Sequence, residues 1–298
     1  MQLALTILMD GLIYASWLFV VALGLTLIFG VLKILNIAHG SLYAVGAYMA
    51  ANAVTFFAAW GFGGWYALLA MLLAAAVTAL LLGPLLERGL LRLFYGRDEV
   101  ILLLVTYALF LILEDAVKLI WGVNPYYVTE PYQLFGNVAF ESMFYVGYDF
   151  ALIGLAIVCG LIVWFGLNRT VFGKIVLAVI FNREMSASMG VNVDRVHLAA
   201  FTVGVFLAAI GGAFTAPMIS VQPGISVSVI IVSFAVIIIG GLGSIEGAAI
   251  GAVVVGLARA AAVHLFPEAE LFSIYLVMAA VLVFRPEGLF QRAAARKI

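Results

Sequence analysis

The sequence predicts an all-α integral membrane protein, a polytopic bundle of about nine transmembrane helices with one short cytoplasmic helix. Of the 298 residues, 66% are hydrophobic and only 10% are charged, whereas about a quarter of the residues in a soluble domain are charged. The mean hydropathy is +1.25. The apolar runs are as long as membrane helices and do not alternate with polar residues, so a barrel is not expected.

Nine hydrophobic segments are predicted to be membrane helices. They run at approximately residues 10–32, 40–60, 65–86, 100–121, 149–168, 197–219, 227–242, 247–265 and 271–285. The first has no basic leader and no small-residue cleavage site before it, so we expect it to be retained as a membrane helix. We expect residues 1–298 to form a single transmembrane domain.

Basic residues predict the orientation in the membrane, because basic loops stay on the cytoplasmic side. Three stretches hold most of them: Arg88, Arg92 and Arg97; Arg169, Lys174, Arg183 and Arg195; and Arg285, Arg292, Arg296 and Lys297. Residues 122–148 and 264–270 contain no Lys or Arg but carry acids such as Glu130 and Glu141. These patterns place the C-terminus in the cytoplasm and, with nine crossings, the N-terminus outside. The net charge of −1 gives no reason to expect a nucleic-acid partner.

Residues 34–43, ILNIAHGSLY, place polar groups between the first two apolar segments. Gly40 allows either a tight turn or a break in a helix. Irregular backbone at membrane depth is tolerated where protein or a water-filled cavity surrounds it. Two interpretations stay open: an interfacial turn in which His39 satisfies nearby carbonyls, or a broken helix that lines a translocation pathway. In the second, Asn36 holds the break, and His39 and Ser41 present polar groups.

Residues 169–195 form the largest predicted cytoplasmic loop. Asn182 is a good N-cap, and Gly190 is suited to end a helix in the left-handed conformation. We therefore predict a short helix over 183–189, with Asp194 capping the next membrane helix. Two turns of helix are marginal in water. The segment is either a partly frayed connector or a helix that docks onto a cytoplasmic partner.

The run GGLGSIEGAAIGAVVVG, residues 240–256, combines a glycine-rich turn with stripes of small residues. Gly243, Gly247 and Gly251 recur every four residues, which predicts close packing against neighbouring helices. The turn from Gly240 to Gly243 is also a candidate for presenting backbone groups to a pathway.

Catalytic motifs are absent from the sequence. Its histidines are remote from one another, its single cysteine cannot build a thiolate zinc site, and neither HExxH nor the GxxxxGK[ST] phosphate loop occurs. If transport uses ATP, a separate subunit must therefore hydrolyse it. A stand-alone channel or ion-coupled carrier would instead use His39 or the group Glu114, Asp115 and Lys118. In that group, Glu114 and Lys118 have the spacing of an i,i+4 ion pair.

Four motifs in order, ILNIAHGSLYAVGAYMA, REMSASMGVNVDRV, GGLGSIEGAAIGA and FRPEGLF, resemble those of the membrane permease subunits of branched-chain amino-acid ATP-binding-cassette importers. The similarity covers essentially the whole chain, and the early Asn-x-x-His-Gly stretch resembles the shorter of the two permease types. The resemblance implies a second related permease, two cytoplasmic ATPases and an extracytoplasmic solute-binding protein in a bacterial cytoplasmic (inner) membrane. It implies no cofactor on this non-hydrolytic subunit, with ATP and Mg on the partner ATPases.

The resemblance also favours docking for the loop at 169–195, which becomes a coupling loop. The residues expected to couple to the ATPases are Asn182, Arg183, Glu184, Met185, Met189, Gly190, Asn192 and Asp194. Those expected along the translocation pathway are Asn36, His39, Gly40, Ser41, Gly240, Gly241 and Gly243. Branched-chain or other hydrophobic amino acids are the implied solutes, and urea, amides or small carboxylates are the alternatives.

Overall fold

A computed structural model describes residues 2–140 and 143–290, and helices dominate this part of the chain. In order, the helices are α1 (Gln2–Leu32), α2 (His39–Ala59), α3 (Trp65–Gly89), α4 (Glu99–Trp121), α5 (Gly147–Arg169), α6 (Val171–Phe181), α7 (Arg183–Ser188), α8 (Val193–Thr215), α9 (Ile225–Gly240), α10 (Ile245–Leu265) and α11 (Glu270–Phe284). Within the described residues, seven helices are long and apolar enough to cross a membrane, and three shorter helices are also apolar. Each of the nine predicted segments corresponds to a helix, so the predicted fold class is confirmed.

Two boundaries differ substantially from the sequence-based prediction. Helix α1 begins at Gln2 rather than near residue 10. Residues 171–181, predicted to be loop, form the separate helix α6. The Thr170 hydroxyl caps this helix by accepting a hydrogen bond from the Gly173 amide at 3.0 Å. Gly173 packs directly on the backbone of Gly166, which allows a sharp turn from α5 into α6.

A β-hairpin lies between α4 and α5. Its antiparallel strands, β1 (Asn137–Phe140) and β2 (Met143–Val146), pair with Asn137 opposite Val146. Earlier in the same connection, Tyr126 exchanges two backbone hydrogen bonds of 2.9 and 3.0 Å with Val221, in the α8–α9 connection.

Of the charged residues used to predict orientation, Glu141, Arg292, Arg296 and Lys297 lie outside the described residues.

Small residues allow the central helices to approach backbone to backbone. A Cβ added at Gly24 of α1 would lie 2.7 Å from the Gly204 carbonyl oxygen of α8, and Gly256 of α10 packs on the backbone of Gly11. Gly247 and Gly251 pack in the same way against α9. The predicted role of the glycine stripe in close helix packing is therefore confirmed.

Candidate translocation pathway and coupling helix

The segment between α1 and α2, residues 33–38, turns back into the protein beside α1. The Nε2 atom of His39, the first residue of α2, donates to the Val21 carbonyl oxygen at 3.0 Å. Val21 lies about three turns, or about 16 Å, before the end of α1 at Leu32. That depth is about half of a 30 Å hydrocarbon layer. This break between α1 and α2 therefore returns to about the middle of α1 instead of staying beside its end.

Helix α4 supplies the hydrogen bonds that this broken backbone needs. The Thr106 hydroxyl donates to the Leu35 carbonyl oxygen at 3.1 Å and lies 3.3 Å from the Ile37 amide, which donates to it. One turn further along α4, the Phe110 carbonyl accepts from the Ser41 hydroxyl at 3.2 Å. Helix α4 thus provides partners for the Leu35 carbonyl and the Ile37 amide of the irregular segment.

Asn36 and His39 hold polar atoms that the break does not satisfy. Neither residue has exposed surface, and within the described structure both side-chain amide atoms of Asn36 and Nδ1 of His39 lack a hydrogen-bond partner. Since the Val21 carbonyl can only accept, Nε2 carries the proton, and Nδ1 of the neutral ring is an unused acceptor. Unpartnered buried polar atoms destabilise a fold, so their presence here requires a reason other than packing.

The start of α9 meets the same region from the other side. Gly40 packs on the Ser226 carbonyl oxygen, which leaves no space for a Cβ. The Glu114 carboxylate of α4 accepts from the Gly224 amide at 2.7 Å and from the Ser226 hydroxyl. The carboxylate therefore lies at the N-terminus of α9, where the helix dipole favours a negative charge.

Local pairing is present in the group Glu114, Asp115 and Lys118, but it does not join Glu114 to Lys118 as their i,i+4 spacing would allow. Lys118 instead forms an ion pair with Asp115 at 3.0 Å, on the exposed side of α4. Glu114 is buried on the side that faces α9. Asp115 and Glu114 lie three and four residues before Lys118, so either could pair with it by spacing. Because Glu114 is buried on the side facing α9, the lysine pairs with Asp115.

The glycine turn predicted to present backbone groups is instead covered by the FRPEGLF segment. Gly241 and Gly243 have φ values of 104° and 82°, which lie in the region that glycine favours. The amides of Leu289 and Phe290 donate to the carbonyls of Ile239 and Gly240, each at 2.9 Å. The structure does not bring this turn together with His39. Gly243 lies near Gly30, whereas the His39 ring packs beside Gly24, and these two glycines are about 9 Å apart along α1.

Both ends of the short helix α7 are capped. The Asn182 side chain accepts from the Met185 amide at 2.9 Å. At the other end, the Val191 amide donates to Ser186 and the Gly190 amide to Ala187, each at 3.0 Å, with Gly190 at φ 86°. This pair of bonds is a Schellman motif. The predicted cap residues are confirmed, and the helix ends at Ser188, one residue before the predicted end.

Apart from its caps, α7 makes little contact with the rest of the chain. Ser186 is its one buried residue, and the side chains of Met185 and Met189 are 61% and 80% exposed. Arg183 and Glu184 are also exposed. A capped helix with exposed methionines is suited to bind an apolar surface on another protein.

The prediction that Asp194 caps α8 is wrong. The cap is Asn192, whose side chain accepts from the Arg195 amide at 3.0 Å. Asp194 lies in the first turn of α8 and forms an ion pair with Arg92, in the connection between α3 and α4. Asn192 precedes the first helical residue, Val193, and so occupies the capping position.

A polar cluster next to the coupling loop has no clear signature in the sequence. The Tyr95 hydroxyl donates to the Glu87 carboxylate at 2.9 Å, and its ring meets that of His197 edge-on at 5.1 Å. Burial, together with the nearby Glu87 charge, raises the pKa of Tyr95, so its hydroxyl stays protonated and donates. The only sequence signal was Arg92, which the orientation analysis counted as one basic residue of a loop.

A bundle of apolar helices with a buried polar break between α1 and α2 and an exposed, capped helix in one loop is the arrangement expected of a membrane transport subunit. The chain belongs to the family described as branched-chain amino acid transport system, permease component, whose model matches residues 7–284. It is a multi-pass membrane protein. The predicted family resemblance is confirmed.

Three relatives are similar to this chain over nearly their full lengths. The high-affinity branched-chain amino acid transport system permease protein BraD of Pseudomonas aeruginosa is 28% identical, over 98% of this chain and 97% of BraD. The corresponding permease LivH of Escherichia coli K12 is 25% identical, over 97% and 96%. A probable LivH of Methanocaldococcus jannaschii is 27% identical, over 95% and 91%.

Proposed function

We propose that this chain is the permease subunit of an ATP-driven importer that carries branched-chain or other hydrophobic amino acids. The observation that supports this most directly is α7, a helix fixed at both ends whose methionines face outward. The chain contains no phosphate loop that could bind ATP. An exposed, rigid docking helix is the feature that a permease driven by a separate ATPase requires.

The complex that we propose contains two cytoplasmic ATPases, a second related permease and an extracytoplasmic binding protein. ATP and Mg are bound on the ATPases and not on this chain. The distribution of basic residues supports a cytoplasmic position for α7 and the C-terminus and an outside position for the N-terminus. Relatives over nearly the whole chain carry names of branched-chain amino acid permeases, which supports the same solute class here.

Transport is proposed to proceed by alternating access. The binding protein delivers a solute to the outer mouth, ATP closes the ATPases, and the movement of α7 reorients the permeases. Asn36, His39 and Ser41 have no exposed surface, so the pathway at this depth opens only when the surrounding helices move. Once open, the unpartnered atoms of Asn36 and His39 are the polar groups that a passing amino acid meets. Gly40 permits close approach of α9, and Gly240, Gly241 and Gly243 form the packed turn at the other end of α9.

The test is uptake by the assembled complex. The permease is co-expressed with candidate ATPase and receptor genes from the same genome, purified by a tag on this chain and reconstituted into vesicles containing ATP. We expect ATP-dependent accumulation of leucine, isoleucine or valine. Deletion of residues 183–189 should abolish it, and the Asn168→Ala variant serves as a control because Asn168 bonds only within α5.

Competition with urea, acetamide and propionate then tests the solute class. Stronger competition by any of these than by leucine contradicts an amino-acid substrate. Uphill accumulation by this chain alone, or coupled uptake after deletion of residues 183–189, contradicts the proposed role of α7.

A further inference from the structure

The α3–α4 connection is attached to the start of α8 by two contacts. Arg92 forms an ion pair with Asp194, with side chains 51% and 44% exposed, and the Tyr95 ring packs against His197. Arg183, the first residue of α7, is close enough for its charge to act on both Tyr95 and His197. The connection is therefore in contact with the segment that the coupling loop would move.

This connection is short and enters α4 through four non-helical residues. Tyr95 lies four residues before Glu99, the first residue of α4, and the Asp98 side chain caps the helix by accepting from the Val100 amide at 2.9 Å. Helix α4 has 23 residues and contains neither Gly nor Pro, the usual causes of a kink. It is a continuous rod about 35 Å long.

At membrane depth the same rod contacts both irregular segments. Thr106, Phe110 and Glu114 recur every four residues and so lie on one side of α4. They bond to the 35–37 backbone, to Ser41 and to the start of α9, respectively. Side chains on other sides of α4, including Leu104, Ile112 and Leu119, are exposed. The polar contacts, together with buried apolar side chains such as Leu109 and Leu113, attach this side of α4 to the rest of the chain.

Resting on the function proposed above, we propose that α4 is the rod that transmits motion from the coupling loop to the buried break, with Arg92 and Tyr95 as positioning residues. Displacement of α7 and the start of α8 moves Arg92 through Asp194. Helix α4 follows, and its polar side shifts the Leu35–Ser41 segment and the start of α9 together. Energetic coupling over such a distance requires a contiguous set of contacts, and these residues supply one.

Charge exchange across the Arg92–Asp194 pair tests the cytoplasmic end of the rod. The variants Arg92→Asp, Asp194→Arg and the double exchange are made in the complete complex, and uptake and ATP hydrolysis are measured in vesicles. Each single variant should lower solute transported per ATP about two- to fivefold, which matches the contribution of up to about 1 kcal/mol of an exposed ion pair. The exchange should restore it. An exposed ion pair contributes little to stability, so the ATPases should still co-purify.

The matched control is Lys118→Asp, which breaks an exposed ion pair that lies wholly within α4 and joins no second element. It should transport at the unaltered rate. At the membrane end of the rod, Thr106→Val removes both bonds to the break while keeping the side-chain shape, and should also lower solute transported per ATP. Tyr95→Phe keeps the ring contact but loses the bond to Glu87, and should give a smaller loss.

The outcomes separate this role of α4 from the proposed function. If the unaltered complex shows no ATP-dependent uptake, both fail. If it transports, but Arg92→Asp and Thr106→Val transport equally well, the role of α4 alone is overturned. It is also overturned if the double exchange is no better than the single variants, because the pair then does not act as a pair.

Discussion

Removing both caps of α7 should weaken ATPase docking by an amount that the structure allows us to estimate. Asn182→Ala removes the bond to the Met185 amide, which should cost about 1 kcal/mol. Gly190→Ala forces a side chain into the left-handed region at φ 86°, at a cost of about 1 kcal/mol or more. With little other contact to hold the helix, the two together should cost about 2 kcal/mol, which lowers the equilibrium constant for forming the helix about 30-fold at roughly 1.4 kcal/mol per factor of ten.

The assay is the affinity of labelled ATPase subunits for the detergent-solubilised permease, followed by uptake in vesicles at limiting ATPase concentration. The double variant should bind about 30-fold more weakly, and each single variant about five-fold. Asn168→Ala is the matched control, since its side chain bonds only to Trp164. Unchanged affinity in the double variant would refute the reasoning that a preformed α7 is the docking element.

Three further substitutions test the break at membrane depth. Asn36→Leu should raise the thermal unfolding temperature in detergent, because removing unpartnered buried atoms relieves about 1–3 kcal/mol. The same variant should lower uptake. Unchanged uptake would show that Asn36 is not part of the pathway. Gly40→Ala should destabilise by about 1–3 kcal/mol through overlap with the α9 backbone, whereas Gly154→Ala, which meets no neighbouring atom, should stabilise by about 0.5–1 kcal/mol. Glu114→Gln should lower the free energy of unfolding by about 2 kcal/mol through loss of charged hydrogen bonds to α9; equal stability in chemical denaturation would contradict this.

The features that sequence analysis identified correctly depend on local chemistry. Long apolar runs locate the membrane helices because the bilayer fixes their length. Asn182 and Gly190 mark the ends of α7 because caps act within a few residues of the chain. The glycine stripe in α10 indicates close packing because its spacing follows the helix period.

The features that it missed depend on contacts between distant residues or on competition between similar neighbours. Thr106 satisfies the Leu35 carbonyl from 71 residues away, and no local pattern specifies that pairing. Asp194 resembles a cap, but Asn192 takes that position and Arg92 attracts the Asp194 carboxylate. Helix α6 escaped prediction because its apolar run is shorter than a membrane span and lies in a predicted loop.

The break between α1 and α2 also constrains how the chain is made. Synthesis delivers these two helices to the bilayer before α4 has left the ribosome, so the Leu35 carbonyl and the Ile37 amide have no partner at that stage. Each unsatisfied group in hydrocarbon costs several kcal/mol. We therefore expect the segment between α1 and α2 to stay in contact with water or the insertion machinery until Thr106 is present, and a nascent chain that stops after α3 to lack these two bonds.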